Sequence, residues 1–153
     1  MKKLTVPQRR WLLSAHILCT IAWLGPAFCY LTLAILAATT MDPGLEQAAY
    51  AVMALLDQHL VLGAAIGTLV TGVLLSVMTN WGLTRWYWII VKAIATPLAI
   101  MLETFALGSL LEEAMAGGVP HARLIGAFVG HTATMSALVV LSVLKPWGQR
   151  PQR

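Results

Sequence analysis

Apolar residues run almost unbroken through four stretches of the chain, about residues 11–38, 48–79, 86–111 and 122–145, and polar residues gather in the gaps between them. Each stretch exceeds the roughly 20 residues that carry a helix across a bilayer core. The pattern predicts an all-α protein: an integral membrane four-helix up-and-down bundle, one domain over residues 1–153, embedded in the lipid bilayer. The gaps at 39–47, 80–85 and 113–121 are short and hold Gly, with Pro in the first and third, as turns between spans require. Short connections make successive helices antiparallel neighbours.

Prolines refine this picture. Pro120 suits the first turn of the fourth helix, where a missing N–H costs nothing. Pro26 and Pro97 fall inside the first and third helices, where each frees a carbonyl four residues earlier, at Ala22 and Ala93, and kinks there open space in the bundle. The first apolar run is longer than the core of a signal peptide and lacks a small-residue cleavage site, so it is expected to stay as the first span.

Composition agrees with a membrane protein: 59% of residues are hydrophobic and 10% charged, against about 25% charged in a soluble domain. The formal net charge is +4, and its distribution is more informative than its size. Lys2, Lys3, Arg9 and Arg10 precede the first helix, Arg85 lies in the second gap, and Lys145, Arg150 and Arg153 follow the fourth helix. Asp42, Glu46, Glu112 and Glu113 mark the opposite ends, with Arg123 the only base there. The excess of Lys and Arg on cytoplasmic flanks puts both termini in the cytoplasm. Trp11, Trp81, Trp86, Trp88 and Trp147 sit at the same ends, as an interfacial aromatic belt. Because the basic residues flank membrane spans, they imply no nucleic-acid partner. Cys19 and Cys29, ten residues apart on one helix, point in different directions and cannot bridge.

Six ionisable residues remain inside the apolar runs: His16, Asp57, His59, Lys92, Glu103 and His131. Such groups are costly in a bilayer and usually face the bundle interior. Counting at about 1.5 Å per residue sorts them into two levels. His16 and Lys92 lie one to two turns from the cytoplasmic ends of their helices and can share an inner pocket. His16, Cys19, Trp23 and Tyr30 follow helical spacing on one stripe. His59, His131 and Glu103 fall at nearly equal depth further out, with Glu103 about 16 Å beyond Lys92 on the same helix face. Asp57 is two residues from His59 and hence on another face, near the outer surface.

Two imidazoles from different helices at one depth suit a haem iron, or a metal ion with a nearby carboxylate. A b-type haem needs no covalent motif, and the chain has no Cys-x-x-Cys-His. His16, His59, His131 and Glu103 are therefore the candidate metal ligands. The alternative cofactor is a copper ion, since Met53, Met101 and Met135 lie in the outer half or near the middle, and thioether with imidazole suits Cu(I). On the second helix, Gly63, Gly67 and Thr71, with Thr68 and Gly72, recur every four positions and admit either a close helix or a flat ligand. No phosphate-cradling Gly loop, His-Glu-x-x-His or nucleophile elbow is present.

The His-x6-Trp-x-Gly spacing of His16, Trp23 and Gly25, and the segment "WYWIIVK" at 86–92, together resemble the small four-helix bacterial membrane families. These include the HemJ-type protoporphyrinogen IX oxidases and the transmembrane domain of copper resistance protein D. The chain is most similar to an uncharacterised bacterial family of this group, from "WLLSAH" through "TNWGLTRWYWIIVK", over roughly residues 8–95. The resemblance implies a bacterial inner-membrane protein that binds haem b, with His16 as a candidate haem or metal ligand and Lys92 as partner of a haem propionate; Arg85, at the same end, is a second candidate for the propionates, and Trp23, on the His16 stripe, a candidate cofactor-binding residue. The second helix departs from the HemJ pattern, because its Arg-rich Tyr segment is missing. Haem binding is thus implied more firmly than porphyrinogen oxidation.

Three functions follow as expectations. The first is a haem-binding membrane protein in electron transfer or porphyrin-related oxidoreduction, with a quinone or other redox partner. The second is a copper or small-ion transporter, which four helices would support only as a homo-oligomer. The third is a non-catalytic accessory protein whose polar residues fix helix register.

Overall fold

In the computed structural model, which describes residues 3–151, four helices account for nearly all of the chain: α1 Val6–Thr39, α2 Pro43–Met78, α3 Tyr87–Met115 and α4 His121–Leu144. All four are long and apolar enough to cross a membrane, which makes this a multi-pass membrane protein in contact with lipid. Of the basic residues expected near the termini, Lys2 and Arg153 lie outside the described residues.

The helices extend past the apolar runs because capping, not hydropathy, ends a helix. Gln8 accepts a hydrogen bond from the Thr5 N–H at 3.0 Å, which closes the start of α1 five residues before the apolar run. Asp42 Oδ1 accepts from the Gly44 N–H at 2.8 Å, with Pro43 opening α2, so part of the expected first turn is helix. Gly117, at φ 76°, supplies the left-handed residue that ends α3 beyond Met115. Pro120 stands just before α4 as its cap.

Both α1 and α3 pack mainly on α2 and α4, so α1 and α3 face each other across the bundle diagonal. The core between them is Trp23, Tyr30, Met53, Phe128 and Met135, and the large apolar residues Ile17, Leu18, Ile21, Phe28, Leu98 and Phe105 point outward. An inside-out distribution of this kind is stable only where the outer solvent is hydrocarbon.

The small residues on α2 are used for close packing. A Cβ on Gly67 would lie 2.8 Å from Cys19 Sγ, and one on Gly72 would lie 3.2 Å from the His16 ring. The α1 stripe therefore beds directly on the α2 backbone. Gly67→Ala is expected to destabilise the bundle by about 1 kcal/mol or more, as overpacking does. Cys19→Ala in the same chain should recover most of that loss, read as thermal unfolding in detergent.

Two helices carry wide turns that the sequence pattern does not announce. The segment Asp57–Val61 interrupts α2 and Leu102–Leu107 interrupts α3 with π-helical geometry. In the second, the Gly108 N–H bonds to the Glu103 carbonyl, one residue further back than in an α-helix. Such bulges recur at functional sites, and these two contain Asp57, His59 and Glu103.

At the end that carries both termini, three segments are stitched together. The Leu4 N–H bonds to the Met78 carbonyl at 3.1 Å, and the Arg150 N–H bonds to the Arg85 carbonyl at 2.8 Å. Trp86 and Gln149 pair as an isolated antiparallel bridge.

Candidate functional site

Under this stitched end, between all four helices, lies a cavity of about 330 Å³. Its polar wall holds the cations Arg9 from α1, Lys92 from α3 and Lys145 just after α4, together with the His16 imidazole from α1. No carboxylate is among its lining residues. All six Asp and Glu residues of the chain lie elsewhere, four toward the opposite end and two near the middle. Arg9 and Lys145 both sit over the Trp81 ring, at 5.8 and 5.7 Å, and Trp81 meets Trp88 edge-on at 5.8 Å. Lys92 Nζ donates to Ser142 Oγ on α4.

The orientation of His16 follows from its neighbours. Thr71 Oγ1 donates its proton to the Gly67 carbonyl at 2.6 Å, so toward His16 Nδ1, at 2.9 Å, it can only accept. Nδ1 therefore carries the proton and Nε2 keeps its lone pair. Among the described residues no protein group hydrogen-bonds Nε2, and His16 lines the cavity. A metal-binding histidine is commonly held in this way, one ring nitrogen fixed by a neighbour and the other presented. Thr68 Oγ1 and Trp88 Nε1, both on residues that line the cavity, are buried without a partner among the described residues.

The expected inner pocket of His16 and Lys92 is thus present. Ala93, whose amide acceptor site Pro97 cannot fill, lines the same space. Arg9, Lys145 and Trp81 complete it, and the sequence pattern did not single them out as ligand groups. For Arg9 the signal was spacing, since it lies seven residues before His16 on the same helical face, as Trp88 lies four before Lys92; Trp81 and Lys145, outside the helices, carried none. Arg85 does not take part, since it is exposed and only its carbonyl is engaged, by the tail.

The outer level is rearranged. His131 is buried and meets Glu103, with Nε2 at 3.1 Å from Oε1, while the other carboxylate oxygen accepts the Trp23 indole N–H. Trp23 therefore serves Glu103 across the diagonal and does not line the His16 cavity. His59 is exposed on the outside of α2, because the face that α2 turns inward carries Met53, Val61, Ala64 and Thr68, and His59 lies opposite them. No His59–His131 pair is formed. Met53 and Met135 are buried, but Met101 faces outward, so the three methionines do not gather. Among the described residues no three His, Cys, Asp or Glu side chains converge as a metal set.

His121, absent from the expected sites, ties the opposite end: its Nε2 lies 2.9 Å from Glu46 Oε1, which also accepts from the Tyr50 hydroxyl at 3.2 Å.

Fold and site together define a multi-pass four-helix membrane protein with a cation-lined internal cavity at one end and a buried carboxylate–imidazole pair at mid-bundle. Compared with protein-family models, with curated proteins and with solved structures, the chain has no match.

Proposed function

We propose that this protein binds haem b in the inner membrane of a bacterium and works in electron transfer or porphyrin-related oxidoreduction, with a quinone or another redox protein as partner. One observation carries the reading: His16 presents an unprotonated Nε2 to a cavity whose charged groups, Arg9, Lys92 and Lys145, are all basic. The residues fit the group. Nε2 is an iron ligand, the three cations suit two propionates through charge-assisted hydrogen bonds, and Trp81 with Trp88 offers apolar wall. At about 330 Å³ the cavity is at the small end of the range for ligand sites, about 300–1,000 Å³, so a porphyrin would have to extend through its open side. Bound haem supplies one-electron chemistry. The chain's own part is to hold the imidazole through Thr71 and to neutralise the acids with Arg9, Lys92 and Lys145. Positive charge at that end supports cytoplasmic termini.

Protein purified in detergent from haem-replete cells should be coloured, with a visible spectrum that changes on reduction, and His16→Ala should lose the bands. A colourless, iron-free preparation overturns the reading. Thr71→Val, which removes the acceptor for Nδ1–H, is expected to weaken haem binding about 10–100-fold, as loss of an outer hydrogen bond does at metal sites.

A further inference from the structure

The middle of the bundle holds a polar site that the cavity does not use. Glu103 and His131 are 4% and 2% exposed, and they come from neighbouring helices α3 and α4. Oε1 and Nε2 are 3.1 Å apart, yet out of line for a hydrogen bond, and neither has another partner among the described residues. The titratable and polar groups that face them can be named helix by helix. From α1 come the Trp23 indole, which donates to Oε2, and Tyr30, whose hydroxyl is buried without a partner. From α2 comes Asp57, half-buried on the π turn and within electrostatic reach of Glu103. Lys92, on the same helix as Glu103, lies about three turns away and is bonded to Ser142.

The charge count at this level is unbalanced. Asp57, Glu103 and a neutral His131 sum to two negative charges with no Lys or Arg beside them. Uncompensated charge in an apolar interior is strongly unfavourable, and groups there take up protons instead. The cluster reaches neutrality when it holds two protons. Only two ligating side chains converge on the orphaned atoms, fewer than the three or four that a zinc or copper site supplies. A proton needs no more than two, and at 3.1 Å the two atoms are close enough that turning either side chain into line lets one proton join them.

We propose that Glu103 and His131 form a membrane-buried proton-binding site. One proton is held by the pair and passes between Oε1 and Nε2 without changing its net charge. A second, taken from water as the pH falls, leaves Glu103 as the neutral acid beside a protonated imidazole, and the carboxylate of Asp57 balances the resulting positive charge. The site goes beyond the cavity reading and stands whether or not the cavity holds haem.

Infrared difference spectra of the protein in lipid vesicles, recorded across a pH step, test this. A protonated-carboxyl stretching band should grow as pH falls, be lost in Glu103→Gln, and change its pH dependence in His131→Gln, because the carboxyl group has then lost its partner. A spectrum with no pH-dependent carboxyl band, or a band indifferent to Glu103→Gln, overturns the proposal. The chain has four histidines, so His16→Gln, His59→Gln and His121→Gln in one protein leave His131 alone. Its imidazole nitrogen-15 resonances should move with pH in a sample whose core substitutions are untouched. Resonances fixed across the range indicate a purely structural pair and overturn the proposal as well.

Discussion

Glu103→Ala is expected to destabilise the folded bundle by about 3–5 kcal/mol, the range for removing one member of a buried charged pair. The loss has two sources. His131, 2% exposed, is left beside a hole, and the Trp23 indole N–H loses its acceptor. His131→Ala should be nearly as damaging, since it strands a carboxylate that only a neutral donor then satisfies. The double variant Glu103→Leu with His131→Leu should recover most of the stability, because a buried pair replaced by apolar groups of similar volume is often neutral or better. Reversible unfolding in detergent, followed by helical circular dichroism, gives a cycle from the two Ala variants and Glu103→Ala with His131→Ala, and a coupling near zero would show that the two residues do not act as a pair. The same double variant abolishes the proton site, so stability and proton uptake separate cleanly in one protein.

Lys92→Met is expected to reduce affinity for haem about 10–100-fold. A hydrogen bond to a charged group contributes about 1.5–3 kcal/mol, and each 1.4 kcal/mol is a factor of ten. The substitution keeps the unbranched side chain but for its terminal atom, and Ser142 loses a donor while its hydroxyl still donates to the Leu138 carbonyl at 2.9 Å. Arg85→Gln is the contrast: Arg85 lies outside the cavity, so affinity should stay within about twofold, in keeping with an exposed charge that contributes little. Titration of haemin into the apoprotein, read by quenching of its tryptophans, measures both. Trp81 and Trp88 line the cavity and report directly on its occupancy. Equal losses in Lys92→Met and Arg85→Gln would point to a diffuse electrostatic attraction and not to a built site.

The sequence alone determined the all-α fold, the four spans and the class of protein, because a bilayer imposes a length and an apolarity that local composition must satisfy. It also placed His16 and Lys92 together, since both lie near the same ends of their helices and helical spacing sets depth directly. Glu103 and His131 were legible as equal in depth for the same reason. Depth, however, is only one coordinate. Which way a side chain points depends on how the helix is rotated in the bundle, and α2 turns Met53, Val61 and Thr68 inward, which leaves His59 outward. Neighbour relations across the bundle were equally out of reach: that Trp23 would cross the diagonal to Glu103, and that Arg9 and Lys145 would converge on Trp81, follows from how four helices pack. Tertiary structure thus decided which of the polar residues are partners, because pairing is set by rotation and packing between helices, quantities that no single stretch of sequence carries.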